Sequence, residues 1–171
     1  MRLTCSLALA AAGLMLAASG PARADETKAK CPVSGHEVTV TAKTPIVMVN
    51  GNKIVFCCEN CPKAFAASPE KYIADAGKCP VAGQKAKLTK ETRLVLNNNL
   101  YYTCCGGCPD QFTSDPSKWV KELKDPVTGK SFKPTSDSPR EEVSGQIYVF
   151  ADNTSKAAFD KDNSKYVVVY K

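Results

Sequence analysis

The run Val55-Phe56-Cys57-Cys58-Glu59-Asn60-Cys61, closed by Phe65, returns later in the chain as Tyr102-Thr103-Cys104-Cys105-Gly106-Gly107-Cys108, closed by Phe112. It returns again without sulfur in Ile147-Tyr148-Val149-Phe150-Ala151-Asp152-Asn153-Thr154-Ser155, closed by Phe159. Upstream of each run stands a short Pro-Gly knuckle: Cys31-Pro32-Val33-Ser34-Gly35, Cys79-Pro80-Val81-Ala82-Gly83 and Asp125-Pro126-Val127-Thr128-Gly129. Phe65, Phe112 and Phe159 fall 47 residues apart, and Tyr72, Trp119 and Tyr166 keep the same interval. A fixed period of this kind marks a repeat architecture. The chain reads as three copies of one module, 31–76, 79–123 and 125–171, the third a degenerate copy without cysteine.

Within each copy the pattern predicts a Cys knuckle, a β-hairpin and a short helix, an α+β, treble-clef-like module. Ile46-Val47-Met48-Val49 and Lys53-Ile54-Val55-Phe56 flank Asn50-Gly51, a dipeptide suited to the positive backbone angles of a tight hairpin turn. Asn97-Asn98 and Ser144-Gly145 take that place in the other copies. Pro62 fits the opening turn of a helix, where its missing amide is no loss, and Ser68-Pro69 suggests a second helical turn. Phe65 and Tyr72, seven apart, would share one face of a continuous helix and read as core, as do Phe112 and Trp119.

A unit of under fifty residues buries little apolar surface, and domains below about 40–70 residues commonly need a metal, disulfides or neighbours to stay folded. Four cysteines per copy look like that staple. The third copy has none and is expected to rely on Ile147, Val149, Phe150 and the run Val167-Val168-Val169-Tyr170, packed against its neighbour as a cap.

The candidate ligands divide evenly: Cys31, Cys57, Cys58 and Cys61 in the first copy, Cys79, Cys104, Cys105 and Cys108 in the second. In each set one cysteine lies on the knuckle and three lie where a strand meets a helix, so the hairpin can fold the distant one back. Thiolates at a helix start gain from exposed amides and the positive end of the dipole. Cys58-x-x-Cys61 and Cys105-x-x-Cys108 have the spacing that lets two sulfurs chelate one ion. Adjacent residues on an extended strand point to opposite faces, so a four-sulfur site suited to zinc and a three-sulfur site suited to copper(I) both remain open.

Other polar residues invite blander readings. His36, the only histidine, has Gln84 as its counterpart and reads as a surface residue beside the knuckle. Asp125, Asp152 and Ser155 replace cysteines in the third copy and read as solvated positions, since no dense oxygen-ligand loop accompanies them. Gly106-Gly107 reads as backbone slack around sulfur. No paired carboxylates, nucleophile–histidine arrangement or phosphate-cradling loop is present, which argues against catalysis.

Residues 1–24 have the composition of a signal peptide: Arg2, an apolar run from Leu7 to Ala18, and Ala22-Arg23-Ala24 around a cleavage point, so the mature chain is expected to begin near Asp25. The run is short for a membrane span. Cys5 precedes the apolar core, where a lipid-anchoring cysteine would follow the cleavage site. Without Arg2 and Arg23 the formal net charge drops from +6 to +4. The lysines are scattered without a stripe interleaved with aromatics, so no nucleic-acid partner is implied.

At these residues the chain resembles the TRASH and YHS families, small modules linked to sensing, trafficking and resistance of heavy metals. The resemblance spans the mature chain as tandem copies and rests on Cys31, Cys57 and Cys61, their equivalents Cys79, Cys104 and Cys108, Phe65, and Pro69-Glu70-Lys71-Tyr72. It departs at the residue before the knuckle glycine, where YHS modules usually carry cysteine and this chain has Ser34, Ala82 and Thr128. The resemblance implies a protein that carries, buffers or senses a soft metal such as copper or zinc, and the leader implies that it is exported, to a periplasmic or extracellular location. A metal transporter or another exported protein would be its partner. Two alternatives stand beside it: a protein-interaction module folded by structural zinc or by disulfides, which an oxidising compartment favours, and a thiol–disulfide oxidoreductase. The last lacks the alternating strand–helix pattern of a thioredoxin-like domain.

Overall fold

The computed structural model describes residues 28–171; the proposed leader and Cys5 lie outside them. The described chain is mixed α+β, with the order strand, strand, helix recurring three times. In the first unit β1 (Lys28–Lys30) and β2 (Glu37–Thr39) pair around the knuckle, β3 (Ile46–Val49) and β4 (Asn52–Val55) form the hairpin, and α1 (Asn60–Ala67) follows. The second hairpin is β5 (Arg93–Leu96) with β6 (Asn99–Tyr102), followed by α2 (Cys108–Ser114). In the third unit β7 (Leu123–Lys124) and β8 (Ser131–Phe132) flank the knuckle, and β9 (Arg140–Val143), β10 (Gln146–Val149) and α3 (Asn153–Lys161) complete it. Among the described residues no helix is long and apolar enough to cross a membrane.

The hairpins follow from their turn residues. Val49 pairs with Asn52, which leaves Asn50 and Gly51 as a two-residue loop with φ of 45° and 85°. Asn97-Asn98 and Ser144-Gly145 repeat this left-handed pair, the geometry that matches the twist of the strands. The helices end where the sequence breaks them. Ser68 sits at φ −160° before Pro69, because proline excludes the helical region for the residue ahead of it. The helix is therefore not continuous from Phe65 to Tyr72. A 3-10 turn at Pro69–Lys71 instead swings Tyr72 back, and the two rings meet with centroids 6.2 Å apart.

The three hairpins merge into one six-stranded sheet in the order β4-β3-β6-β5-β10-β9. Hairpin partners are antiparallel, whereas the seams between hairpins are parallel and short, with the single register pairs Val49–Leu100 and Leu96–Ile147. An asparagine side chain reinforces each seam. Asn50 Nδ2 donates to the carbonyls of Lys78 and Tyr102, and its Oδ1 accepts from Tyr102 N at 2.7 Å. Asn97 does the same with Lys124, Val149 and Val149 N. A hairpin tip thus closes on the next unit's second strand.

Each unit packs a fully buried phenylalanine of its helix, Phe65, Phe112 or Phe159, against aromatic rings of its hairpin at 4.9–5.2 Å. Each such ring contributes roughly 1.5–3 kcal/mol from burial. In the third unit Val149 packs into the second unit's core, the expected contact with its neighbour, whereas Val168 and Val169 are exposed, against expectation. Tyr148, Phe150 and Phe159 form its own core instead. Beyond α3 the chain crosses the second hairpin, where Val168 N donates to Asn98 Oδ1 and Tyr170 hydroxyl to Asn98 O. Tyr170 then enters the first unit's core, and Lys171 N donates to Ala66 O.

Candidate metal centre

Each knuckle is a tight backbone loop. Cys31 N donates to His36 O and Gly35 N to Cys31 O, both at 2.9 Å, with Gly35 at φ 76°. Cys79 with Gln84 and Gly83, and Asp125 with Lys130 and Gly129, repeat the pattern. Only glycine adopts such a φ without strain, which explains the glycine four residues after each leading Cys or Asp.

The hairpin then lays the strand end over the knuckle. Sulfurs of Cys31, Cys57 and Cys61 lie within 4.8 Å of one another, and so do those of Cys79, Cys104 and Cys108. Cys57 and Cys61 are 3.6 Å apart, Cys104 and Cys108 3.7 Å. Cys58 and Cys105 stand outside these trios but each lies 3.4 Å from its helix partner, Cys61 or Cys108. A metal about 2.3 Å from each sulfur in tetrahedral geometry separates them by about 3.8 Å, and a disulfide brings them to about 2.05 Å. The observed spacings fit chelation. The donor set is soft sulfur and could hold a metal ion.

The knuckle is also built to hold an anion. Burial opposes charge on Cys31, but the hydroxyl and N–H of Ser34 and the N–H groups of Cys57 and Val33 outweigh it and hold the thiol at about 6. At Cys79 burial is likewise overcome, by the N–H groups of Ala82, Val81 and Cys104, and the pKa is lowered. Cys61 and Cys108 are pushed up to about 12, first by hydrogen bonds to Cys58 and Cys105 and then by burial. In each cluster the knuckle thiol loses its proton more readily than the helix thiol, which gives up its own when a metal arrives.

The third unit retains this pocket with a permanent anion in it. Asp125 is 1% exposed. Its Oδ1 accepts from Val127 N, Thr128 N and Thr128 Oγ1, and its Oδ2 from Ala151 N at 2.9 Å. Ala151 occupies the position of Cys57 and Cys104, so a hydrogen bond ties knuckle to strand where the other units converge sulfurs. The expectation of solvated positions is corrected at two of the three: Asp125 and Ser155 are buried, whereas Asp152 is exposed and caps α3 by accepting from Ser155 N. The Asp125 carboxylate is buried because backbone amides and the Thr128 hydroxyl satisfy it.

His36 is exposed and takes part in neither trio. Gly106 and Gly107 are not needed as slack. Gly107 has an ordinary φ of −87°, a Cβ at either would meet nothing within 4 Å, and the first unit carries Glu59 and Asn60 there. Ser34, whose Oγ lies 3.2 Å from Cys57 Sγ, escaped sequence reasoning; its position beside the knuckle glycine was the only signal. A cleft of about 740 Å³, lined by Met48, Tyr101 and Trp119 among others, contains no cysteine.

No protein-family model matches this chain, and no match to it emerges among curated proteins or solved structures.

Proposed function

We propose that this chain is an exported binding protein for a soft metal ion, copper(I) or zinc, which it carries or buffers on two cysteine clusters without catalysis. The modules are of treble-clef type and akin to the TRASH and YHS families, and the partner is a metal transporter or another exported protein. The observation that carries this reading is the convergence of three sulfurs from distant positions, twice, with the same spacing in two repeats. Chance placement of free thiols would not reproduce it.

Structural zinc is the competing reading. What favours cargo is the third unit, which keeps the knuckle, hairpin and helix with a carboxylate in place of the sulfurs. A fold that needs no metal in one unit leaves the metal in the others free to exchange. The test is to load the mature protein with zinc, strip it with a chelator under reducing conditions, and follow far-ultraviolet circular dichroism. Retained structure and reloading support the cargo reading; unfolding on chelation supports structural zinc.

A further inference from the structure

The two clusters differ in access. In the second, Cys79, Cys104 and Cys108 are all buried, at 1%, 7% and 4% exposure, and Val81 packs against the cluster they form, as Val33 does against the core that holds Cys31 and Cys61. In the first, Cys31 and Cys61 are buried but Cys57 is exposed. An open groove of about 290 Å³, walled by Thr39, Thr41, Lys43 and Pro45, ends on Cys57 and Cys58. The hydroxyl of Ser34 contacts Cys57 Sγ, whereas the corresponding residue of the second knuckle is Ala82. The first cluster thus presents two exposed sulfurs beside a polar groove, and the second presents only Cys105.

Resting on the metal-binding reading above, we infer that the clusters divide the work: Cys31, Cys57 and Cys61 form the exchanging site, and Cys79, Cys104 and Cys108 the retaining one. A thiolate-bound ion passes to a new ligand when that ligand reaches the metal as a protein thiolate leaves. In the first cluster an incoming thiol can enter along the groove. Its sulfur–metal bond forms as the bond to Cys57 breaks, its proton passes to the departing cysteine, and the ion keeps its charge. The partner presents a thiol on an extended segment narrow enough for the groove. In the second cluster the same exchange requires Val81 to move and a buried sulfur to leave.

The test uses the mature full-length chain loaded with zinc and challenged with excess 4-(2-pyridylazo)resorcinol under reducing conditions. Freed cysteines are pulse-labelled with N-ethylmaleimide and located by peptide mass spectrometry. Release is expected in two phases. Labelling of Cys57 and Cys61 should accompany the fast one, and labelling of Cys104 and Cys108 a phase at least about tenfold slower, since thiol exchange follows access. Val81→Ala, which removes no ligand but loosens the packing against the second cluster, is expected to speed only the slow phase. Equal rates, or earlier labelling of the second cluster, overturn the inference and leave metal binding standing. A chain that takes up no zinc and no cuprous ion overturns the reading beneath it, and the inference with it.

Discussion

Asp125 occupies in the third unit the pocket that receives Cys31 and Cys79 in the others, and its hydrogen bonds make it an anion the fold depends on. Replacing it by asparagine, Asp125→Asn, turns an amide NH₂ toward the N–H of Ala151 and removes the charge that its donors stabilise. The expected cost is about 2–3 kcal/mol, read from urea unfolding near neutral pH. Burial opposes the charged form of Asp125, but the amides of Ala151, Thr128 and Val127 and the Thr128 hydroxyl outweigh it and hold the carboxyl below its ordinary value. Its stabilisation is therefore complete above about pH 4 and is lost as the pH falls through the lower folded value. Wild type and Asp125→Asn should converge in stability as acid is added; a constant gap down to the lowest pH would contradict the assignment. The aspartate was legible as the heir of a cysteine position, but its burial was not. Which amides would satisfy it depends on Ala151, a residue 26 positions away that only the folded hairpin brings close.

The hairpins and their tips were legible because Asn-Gly and its variants state their backbone angles outright. The knuckle-flanking strands β1, β2, β7 and β8 were not, since two or three residues carry no alternation. Nor was the second task of the turn asparagines, because their acceptors belong to the next unit. Asn97 is 7% exposed and makes three side-chain hydrogen bonds across its seam. Asn97→Ala is expected to destabilise by about 2–4 kcal/mol, from unpaired backbone groups and a left-handed φ without asparagine's tolerance for it. Ser144, the matching residue of the third hairpin, is exposed and makes no such bond to a further strand. Ser144→Ala should stay within about 1 kcal/mol of wild type. Equal losses at both positions, measured by denaturant unfolding, would show the seam bonds to be dispensable.

Across the whole molecule, the repeats are joined twice. The sheet runs through all six hairpin strands, and the chain after α3 returns over the second hairpin to the first unit. Glu70 of the first unit accepts from Arg93 and from the Tyr102 hydroxyl of the second, and Arg93 also donates to the Lys171 carbonyl. Tyr170→Ala removes a ring from the first unit's core and is expected to cost about 3 kcal/mol, seen as a lowered melting temperature of the metal-free protein. Sequence periodicity could not announce this return, because Tyr170 has no counterpart role in the earlier copies, where the chain at that point leads into the next knuckle. At the open edge, Arg140, Glu141 and Glu142 load β9 with charge, which discourages further strands from pairing there. The purpose assigned to this framework is to hold two sulfur trios. The direct measurement is native mass spectrometry of the mature protein purified under reducing conditions and exposed to zinc or cuprous ion, with thiols counted on the same sample. The expected result is one metal per trio, one fewer after Cys31→Ser and one fewer after Cys79→Ser, with the cysteines titratable only once a chelator is added. Metal-free protein whose cysteines stay untitratable until a disulfide reductant is applied would contradict it.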